Sequence, residues 1–240
     1  MTTLTHPQLV AALVKPPHDI IVSLTAFSTD LWHGATGVAG ESGELLEALV
    51  LGIGNEYKFD RVNLREELGD LYFYMEQIVQ RSGVVIDWDS ADSIARQAII
   101  SPDRILHVGA DIAIHGAQVL DTIKKVALYN KGLDLELLTN QMTALAASTL
   151  TLGYMFGIPR QEALDANIQK LSKRYASLSY SDTAAQERAD KQTGADTDVI
   201  PARKPFKGEE DTRAHTAGVT QPLSPRTSDM DDIAEASKRA

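Results

Sequence analysis

Between residues 17 and 174, apolar side chains recur at helical spacing, and this pattern constrains the fold more than any other feature of the sequence. Ile20, Leu24 and Leu31, for example, lie four and seven positions apart, as residues on one face of a helix do. No stretch alternates convincingly between apolar and polar residues, as a half-buried strand would. The sequence therefore predicts an all-α fold, most simply a helix bundle.

Start and stop signals divide this region into separate helices. Proline and aspartate stand where helices are expected to begin, and glycine stands where they are expected to end. The predicted helices cover about 17–31, 36–53, 60–81, 89–99, 101–129, 134–156 and 159–174.

The composition changes near Tyr180. From residue 181 to 240 the chain is rich in charged and small residues and in proline, and its few apolar residues are isolated. Such a segment buries too little surface to offset the entropy of ordering it, so we expect a disordered tail. Docking of the tail on the core or on a partner is the alternative. If the tail is disordered, trimming the chain after Tyr180 should spare activity.

The helix signals recur at a constant offset. Asp60 and Asp134 each precede a long predicted helix, Gly83 and Gly157 each follow one, and both pairs are 74 residues apart. Leucines also match at this offset, although such matches are common among helices, and two unrelated helical hairpins are the alternative. The constant offset favours a tandem repeat. The predicted organisation is a first repeat over residues 1–100, a second repeat over 101–180 and the tail over 181–240.

Two pairs of acidic residues in the first repeat form the candidate site. Glu41 and Glu44 lie one turn apart on one predicted helix, and Glu67 and Asp70 do so on the next. One such pair usually marks a solvated face, but both pairs border the apolar stripe, whereas Glu66 is predicted to point away. Carboxylates gathered in a partly buried space take up protons unless cations neutralise them. Oxygen ligands favour hard ions, so Mg²⁺ is expected, with Mn²⁺ as a substitute.

The second repeat lacks these acids and carries basic residues instead. At the 74-residue offset the acids are replaced by His115, Gln118, Gln141 and Ala144, so we expect this copy to bind no metal. The basic residues suited to phosphate are Lys124, Lys125, Lys170 and Arg174. Ordinary charges on a solvated helix face are the alternative interpretation of these four.

Composition excludes several classes of protein. The chain has no cysteine, which rules out disulfides and thiolate metal sites. Its formal net charge of −10 argues against a nucleic-acid partner, because such a surface needs clustered cations. No apolar run approaches the ~20 residues of a membrane span, and the N-terminus is a poor signal peptide. A cytoplasmic protein without a membrane partner is expected.

The acidic motifs resemble those of the MazG-like nucleotide pyrophosphohydrolases, a family of the all-α NTP pyrophosphatase superfamily. The family pattern is E-E-x-x-E on one helix and E-x-x-D on the next. Glu41 and Glu44 match the first motif and Glu67 and Asp70 match the second, but Gly40 replaces the first glutamate. The softer motif Asn167-x-x-Lys170 with Arg174-Tyr175 is similar to stretches of phage and bacterial relatives. The resemblance covers about residues 25–180.

This resemblance implies metal-dependent hydrolysis of a nucleoside or deoxynucleoside triphosphate to the monophosphate and pyrophosphate. Members of the family act as dimers or tetramers, so two repeats imply an intramolecular pseudo-dimer and leave further pairing of chains open. Base and sugar preference are not indicated, and damaged-nucleotide removal, dUTP control and pool reshaping during phage infection all fit.

Each candidate residue has an expected role. Glu41, Glu44, Glu67 and Asp70 would hold the metal, and Glu41 or Glu44 would act as general base. Lys124, Lys125, Lys170 and Arg174 would balance the charge of the phosphates. Asn167 would hydrogen-bond the sugar or base, and Trp32, His33 or Tyr175 would pack against the base.

Two other hypotheses stay open. The protein could be a nucleotide-binding or regulatory module that no longer hydrolyses its ligand, because Gly40 departs from the motif and one repeat has lost its acids. A di-iron carboxylate bundle is weakly supported, because that class expects Glu-x-x-His pairs and the sequence has none.

Overall fold

The computed structural model describes residues 4–98 and 101–191 and the backbone of 199–201. The rest of the predicted tail, residues 192–198 and 202–240, lies outside the described residues.

The described part of the chain is almost entirely helical, which confirms the predicted all-α fold. In chain order the α-helices are α1 (His6–Leu13), α2 (Pro17–Ser23), α3 (Ala26–Gly54), α4 (Arg61–Ser82), α5 (Trp88–Gln97), α6 (Ile105–Tyr129), α7 (Leu135–Phe156), α8 (Arg160–Arg174) and α9 (Asp182–Glu187). Short 3-10 helices cover Pro102–Arg104 and Ala189–Lys191. Two three-residue strands, β1 (Lys58–Asp60) and β2 (Val199–Pro201), pair antiparallel, and the sequence did not predict them.

The predicted caps lie where the sequence places them. The side chain of Asp60 accepts hydrogen bonds from the backbone N–H groups of Val62 and Asn63 in α4, and that of Asp134 accepts one from Leu137 in α7. Gly83 and Gly157 end these helices with positive φ angles of 73° and 62°, a conformation that favours glycine. Both helices are 22 residues long, and their starts and ends are 74 residues apart.

One predicted boundary is wrong. The sequence predicts a break between Leu31 and Thr36, but α3 continues through this region to Gly54. Gly34 and Gly37 suit the continuous helix because they lie against α4. A Cβ atom on Gly37 would stand 2.3 Å from the ring of Tyr74, and one on Gly34 would stand 2.9 Å from Ile78. These glycines permit close helix packing and do not end the helix.

A break occurs earlier than predicted. Thr25 and Ser28 exchange side-chain and backbone hydrogen bonds and so cap the start of α3. The helix expected over 17–31 is therefore divided into α2 and the first turns of α3.

The packing of the helices is symmetric under exchange of the two halves. In each half the two long helices pack together, α3 with α4 and α6 with α7, and α3 also packs against α6. The shorter helix of each half packs on the other half: α5 lies against α7, and α8 lies against α4. A tandem repeat would have this arrangement, and the duplication itself stays a prediction.

The apolar stripes of these helices meet in one core. Among its fully buried side chains are Leu31, Leu45, Leu49, Leu64, Leu68, Leu71, Met75, Ile112 and Ile123. None of the described helices is both long enough and apolar enough to cross a membrane.

Regular structure extends further along the chain than the sequence predicts. Residues after Tyr180 form α9 and the 3-10 helix that ends at Lys191, and both pack on α8. β2 returns to pair with β1 between α3 and α4. The first part of the expected tail thus docks on the helical body, which was the alternative considered for it.

Candidate metal centre

Two adjacent helices bring three of the four predicted metal ligands together. Glu41 lies on α3, and Glu67 and Asp70 lie one turn apart on α4. A carboxylate oxygen from each of the three lies within 4.8 Å of the others, and all three residues are partly buried. We call Glu41, Glu67 and Asp70 the acidic triad. Its geometry is suited to a cation shared among three carboxylates.

Glu44 lies beside the triad and not within it. Glu44 is exposed, and it lines the same cavity as the three acids. Its negative charge raises the pKa of both Glu41 and Glu67. The sequence predicted four metal ligands, and the structure places three of them in a close group and Glu44 beside it in the same cavity.

Burial and crowding hold a proton on the triad when no cation is present. Loss of solvation, together with the charges of Asp70, Glu44 and Glu67, raises the pKa of Glu41 to about 8. Burial also raises the pKa of Glu67, whereas its hydrogen bond to Glu41 and the charge of Lys170 lower it. At neutral pH the triad therefore carries less negative charge than its three carboxyl groups would carry in water.

Helix α8 adds basic and amide groups opposite the triad. The Nδ2 of Asn167 donates a 2.6 Å hydrogen bond to Oδ1 of Asp70, and Lys170 forms an ion pair with the other oxygen. Asn167 is 7% exposed and the Lys170 side chain is 9% exposed, so both contacts are largely shielded from water. At these positions an acid of the first half lies against an amide and an ammonium group of the second half.

Gly69 explains how α8 comes so close to Asp70. A Cβ atom at this position would stand 2.7 Å from the carbonyl oxygen of Ala163 and 2.9 Å from the Cβ of Asn167. Because those distances are too short for any side chain, glycine allows the two helices to touch through their backbones. The contact brings Asn167 and Lys170 within reach of the carboxylate that follows Gly69.

The triad opens into a cavity of about 710 Å³, which is within the usual size range of small-molecule sites. Its walls include the rings of His33, Phe73, Tyr74, Tyr175 and Tyr180. The rings of Tyr175 and Tyr180 lie 5.8 Å apart, and His33 meets Tyr74 edge-on at 5.9 Å. A ligand with both an anionic part and a flat ring would therefore find a matching surface for each.

Three of the predicted substrate-binding residues lie elsewhere. Lys124 and Lys125 form ion pairs of 2.5 and 2.8 Å with Asp121 of their own helix, and they do not line the cavity. Spacings of three and four residues make Asp121 their natural partner. Trp32 is partly buried and packs against the hydrophobic core. The structure therefore does not bring these three residues to the cavity of the acidic triad.

The cavity also includes residues that the sequence did not indicate. Glu66 was predicted to point away, yet it lines the cavity, as do Leu178 and Arg188. The helical pattern places Glu66 100° from Glu67, and the cavity is wide enough to include both. Arg188 is brought there by the segment after Tyr180, which the sequence marks as tail and not as part of a site.

A second cavity, of about 450 Å³, lies at the equivalent place in the other half. His115 and Ala144, which stand at the offset positions of Glu41 and Asp70, line it together with apolar residues of α5 and α6 such as Ile94 and Val108. The two halves thus have cavities at equivalent places with different chemistry.

Comparison of the chain with models of known protein families, with curated proteins and with solved structures finds no match. Support for a function therefore comes from the side chains of the cavity and their geometry.

Proposed function

We propose that the protein hydrolyses a nucleoside or deoxynucleoside triphosphate to the monophosphate and pyrophosphate, with a divalent cation held by the acidic triad. The observation that carries the proposal is the position of the triad. Three partly buried carboxylates with mutually close oxygens face Asn167 and Lys170 in a cavity with aromatic walls.

The chemistry of the triad fits a hard cation. Its donors are all oxygen atoms, which suit Mg²⁺ and, as a substitute, Mn²⁺. Burial and the charges of the neighbouring acids raise the pKa of Glu41, and a bound cation would offset both effects. A cation bound there would stabilise negative charge on the phosphates and lower the pKa of a water molecule.

The side chains of the cavity would have different roles in this reaction. Glu41, Glu67 and Asp70 would hold the cation, which favours Glu44 over Glu41 as the general base that takes a proton from water. Glu44 is exposed and lies one turn from Glu41, so it reaches the cavity without belonging to the close group. Lys170 and Arg174 would lie against the phosphates, because both line the same cavity.

The aromatic residues would hold the base. Tyr175 and His33, both predicted from the sequence, line the cavity, and Tyr74 and Tyr180 extend the same wall. Stacking on such rings tolerates any base, because every base has a π face. This arrangement fits a protein that binds nucleotides as a class and leaves base preference to the shape of the cavity.

A nucleotide-binding or regulatory module is the second candidate, and one contact favours it. Both oxygens of Asp70 already have partners, Asn167 and Lys170. A site that keeps these contacts can bind an anionic ligand through Lys170 without a cation at Asp70.

Release of pyrophosphate from a panel of common ribo- and deoxyribonucleoside triphosphates, with Mg²⁺ or Mn²⁺, separates the two candidates. We expect cation-dependent release from at least one nucleotide and its loss in Glu67→Gln. The matched control, Glu76→Gln, changes an exposed glutamate on the same helix and should retain activity. Binding of nucleotide without release of pyrophosphate, at any cation concentration, would instead identify a binding module.

A further inference from the structure

Arg174, at the end of α8, is held on one side by a residue of the expected tail. Its Nε and Nη2 atoms each donate a 2.8 Å hydrogen bond to a different oxygen of Asp190. The side chains are shielded, with Asp190 3% exposed and Arg174 15% exposed. Two parallel hydrogen bonds between a planar guanidinium and a carboxylate fix the orientation of both groups.

This contact leaves the other side of the guanidinium available. Arginine has five N–H groups, and Asp190 accepts from two of them. The remaining N–H groups belong to Nη1 and to the second hydrogen of Nη2. Because Arg174 also lines the cavity of the acidic triad, a ligand phosphate could meet a guanidinium that is already oriented. The conformational entropy of this long side chain would then be lost on folding and not on binding.

The same segment contributes directly to the cavity. Tyr180 and Arg188 line it, and α9 between them packs on α8. Residues 181–191 thus place the cation of Arg188 in the wall next to the ring of Tyr180, and they place a carboxylate behind Arg174. The ion pair persists over the working pH range of most enzymes, because Arg174 lowers the pKa of Asp190 to about 2.

We propose that Asp190 is a positioning residue, which holds the Arg174 guanidinium in the orientation that binds the phosphates of the ligand. Residues 181–191 then belong to the site. This inference rests on the proposed function in taking the ligand to be a polyphosphate. It reverses the expectation that the chain can be trimmed after Tyr180 without loss. A carboxylate that competed with the ligand for Arg174 would have the opposite effect, because its removal would tighten binding.

The test compares Asp190→Asn with Glu187→Gln in the full chain. Glu187 is exposed and lies in the same segment, so the two variants lose the same charge, but only one loses the contact with Arg174. Calorimetry with inorganic tripolyphosphate and Mg²⁺ gives Kd, and turnover of the nucleotide gives KM and kcat.

We expect Asp190→Asn to raise Kd and KM about tenfold, which corresponds to about 1.4 kcal/mol, with a smaller change in kcat. Glu187→Gln should stay close to wild type. In an Arg174→Gln background, Asp190→Asn should cause no further loss, because Asp190 acts through Arg174.

Arg174→Lys tests the contact from the other side, since lysine keeps the charge but cannot form the two parallel bonds. Arg174→Lys should raise Kd by a similar factor. It replaces Asp190→Asn as the test if Asp190→Asn unfolds below the assay temperature. Unchanged or tighter binding in the folded single variants would overturn the inference, and so would an additive loss in the double variant.

The outcomes also separate this inference from the proposed function. A wild-type protein that binds tripolyphosphate through Arg174 and Asp190 but hydrolyses no nucleotide would remove the function and keep the inference. Normal hydrolysis in Asp190→Asn, with unchanged KM, would remove the inference alone. A wild-type protein that binds no tripolyphosphate would overturn the inference.

Discussion

At the scale of single residues, the decisive property of the site is the crowding of three carboxyl groups. Glu41 lies among Glu67, Asp70 and Glu44 in a partly buried position, and its pKa is raised to about 8. Surface acids elsewhere in the molecule behave differently. Asp121 has a lowered pKa because Lys124 and Lys125 donate hydrogen bonds to it. An acid that is paired with basic side chains needs no metal ion to neutralise its charge. In the triad, Lys170 neutralises only part of the negative charge.

Glu44→Gln separates catalysis from cation binding. If Glu44 acts as general base, the variant should lose about 10²- to 10⁴-fold in kcat, the usual contribution of such a group. Its affinity for the cation should change little, because Glu44 lies outside the triad. Steady-state turnover together with a calorimetric Mn²⁺ titration measures both properties.

Glu47→Gln is the control, because Glu47 is an exposed glutamate one turn further along α3. Turnover near wild type in Glu44→Gln would remove Glu44 from the mechanism. A large loss of Mn²⁺ affinity would show that Glu44 is a ligand after all.

At the scale of helices, the site depends on the contact between α4 and α8. Helix ends and the acidic pairs could be predicted, because caps such as Asp60 and Gly83 act locally and the i, i+3 spacing fixes which side chains share a face. The partner of each helix could not be predicted in the same way. The local spacing already offers Asp121 to Lys124, but only the packing of α8 on α4 shows that Lys170 meets Asp70.

The long continuous α3 illustrates the same limit. Glycine usually marks a break in a helix, but Gly37 permits contact with Tyr74 on a neighbouring helix. The role of Asp190 also escaped prediction, because a polar segment shows no helical pattern that would point to a contact with Arg174. Local signals thus identify elements, and tertiary contacts decide which of their residues form the site.

Gly69→Ala should disrupt the contact between α4 and α8. The added Cβ would stand 2.7 Å from a backbone oxygen of α8, so the helices must separate. We expect a loss of about 1–3 kcal/mol in the free energy of unfolding, the usual cost of overpacking, together with a fall in nucleotide turnover. Chemical denaturation and the pyrophosphate assay measure the two effects.

Gly40→Ala is the matched control. Within the described part of the chain, no atom beyond the neighbouring residues and backbone of α3 lies within 4 Å of a Cβ built at Gly40, and alanine is favoured over glycine within a helix by about 1 kcal/mol. This variant should be as stable as wild type or more so. Equal stability of Gly69→Ala and wild type would show that the approach of α8 to Asp70 is not tightly constrained.

At the scale of the whole molecule, the two halves exchange their shorter helices. α8 of the second half completes the cavity whose acids come from the first half, and α5 packs on α7 in the reciprocal arrangement. One chain can therefore build a site that draws on both halves, which is what the hypothesis of an intramolecular pseudo-dimer expects. The acids occur in one half only, so the chain is predicted to have one metal centre.

The proton held by the triad links the site to the stability of the molecule. The pKa of Glu41 is about 8 in the folded protein, against an ordinary value of 4.5 for the unfolded chain. Between these two pH values the folded protein therefore binds more protons than the unfolded chain. Its contribution to stability is fully present below pH about 4.5 and is lost as the pH rises through 8. Other acids have lowered pKa values, so they change the stability only at pH values below this window. They are Asp30, Asp92, Asp121, Asp190 and Glu162.

The most direct test of a cation-binding triad is the thermal unfolding midpoint, measured between pH 5.5 and 8.5 with chelator or with Mg²⁺. Without cation we expect the midpoint to fall as the pH rises. Mg²⁺ should reverse most of that fall at pH 8.5 and do little at pH 5.5, because it binds the deprotonated carboxylates of the folded state. Glu41→Gln should flatten the chelator curve and reduce the effect of Mg²⁺. Curves for the wild-type protein that coincide with and without Mg²⁺ at pH 8.5 would contradict the account.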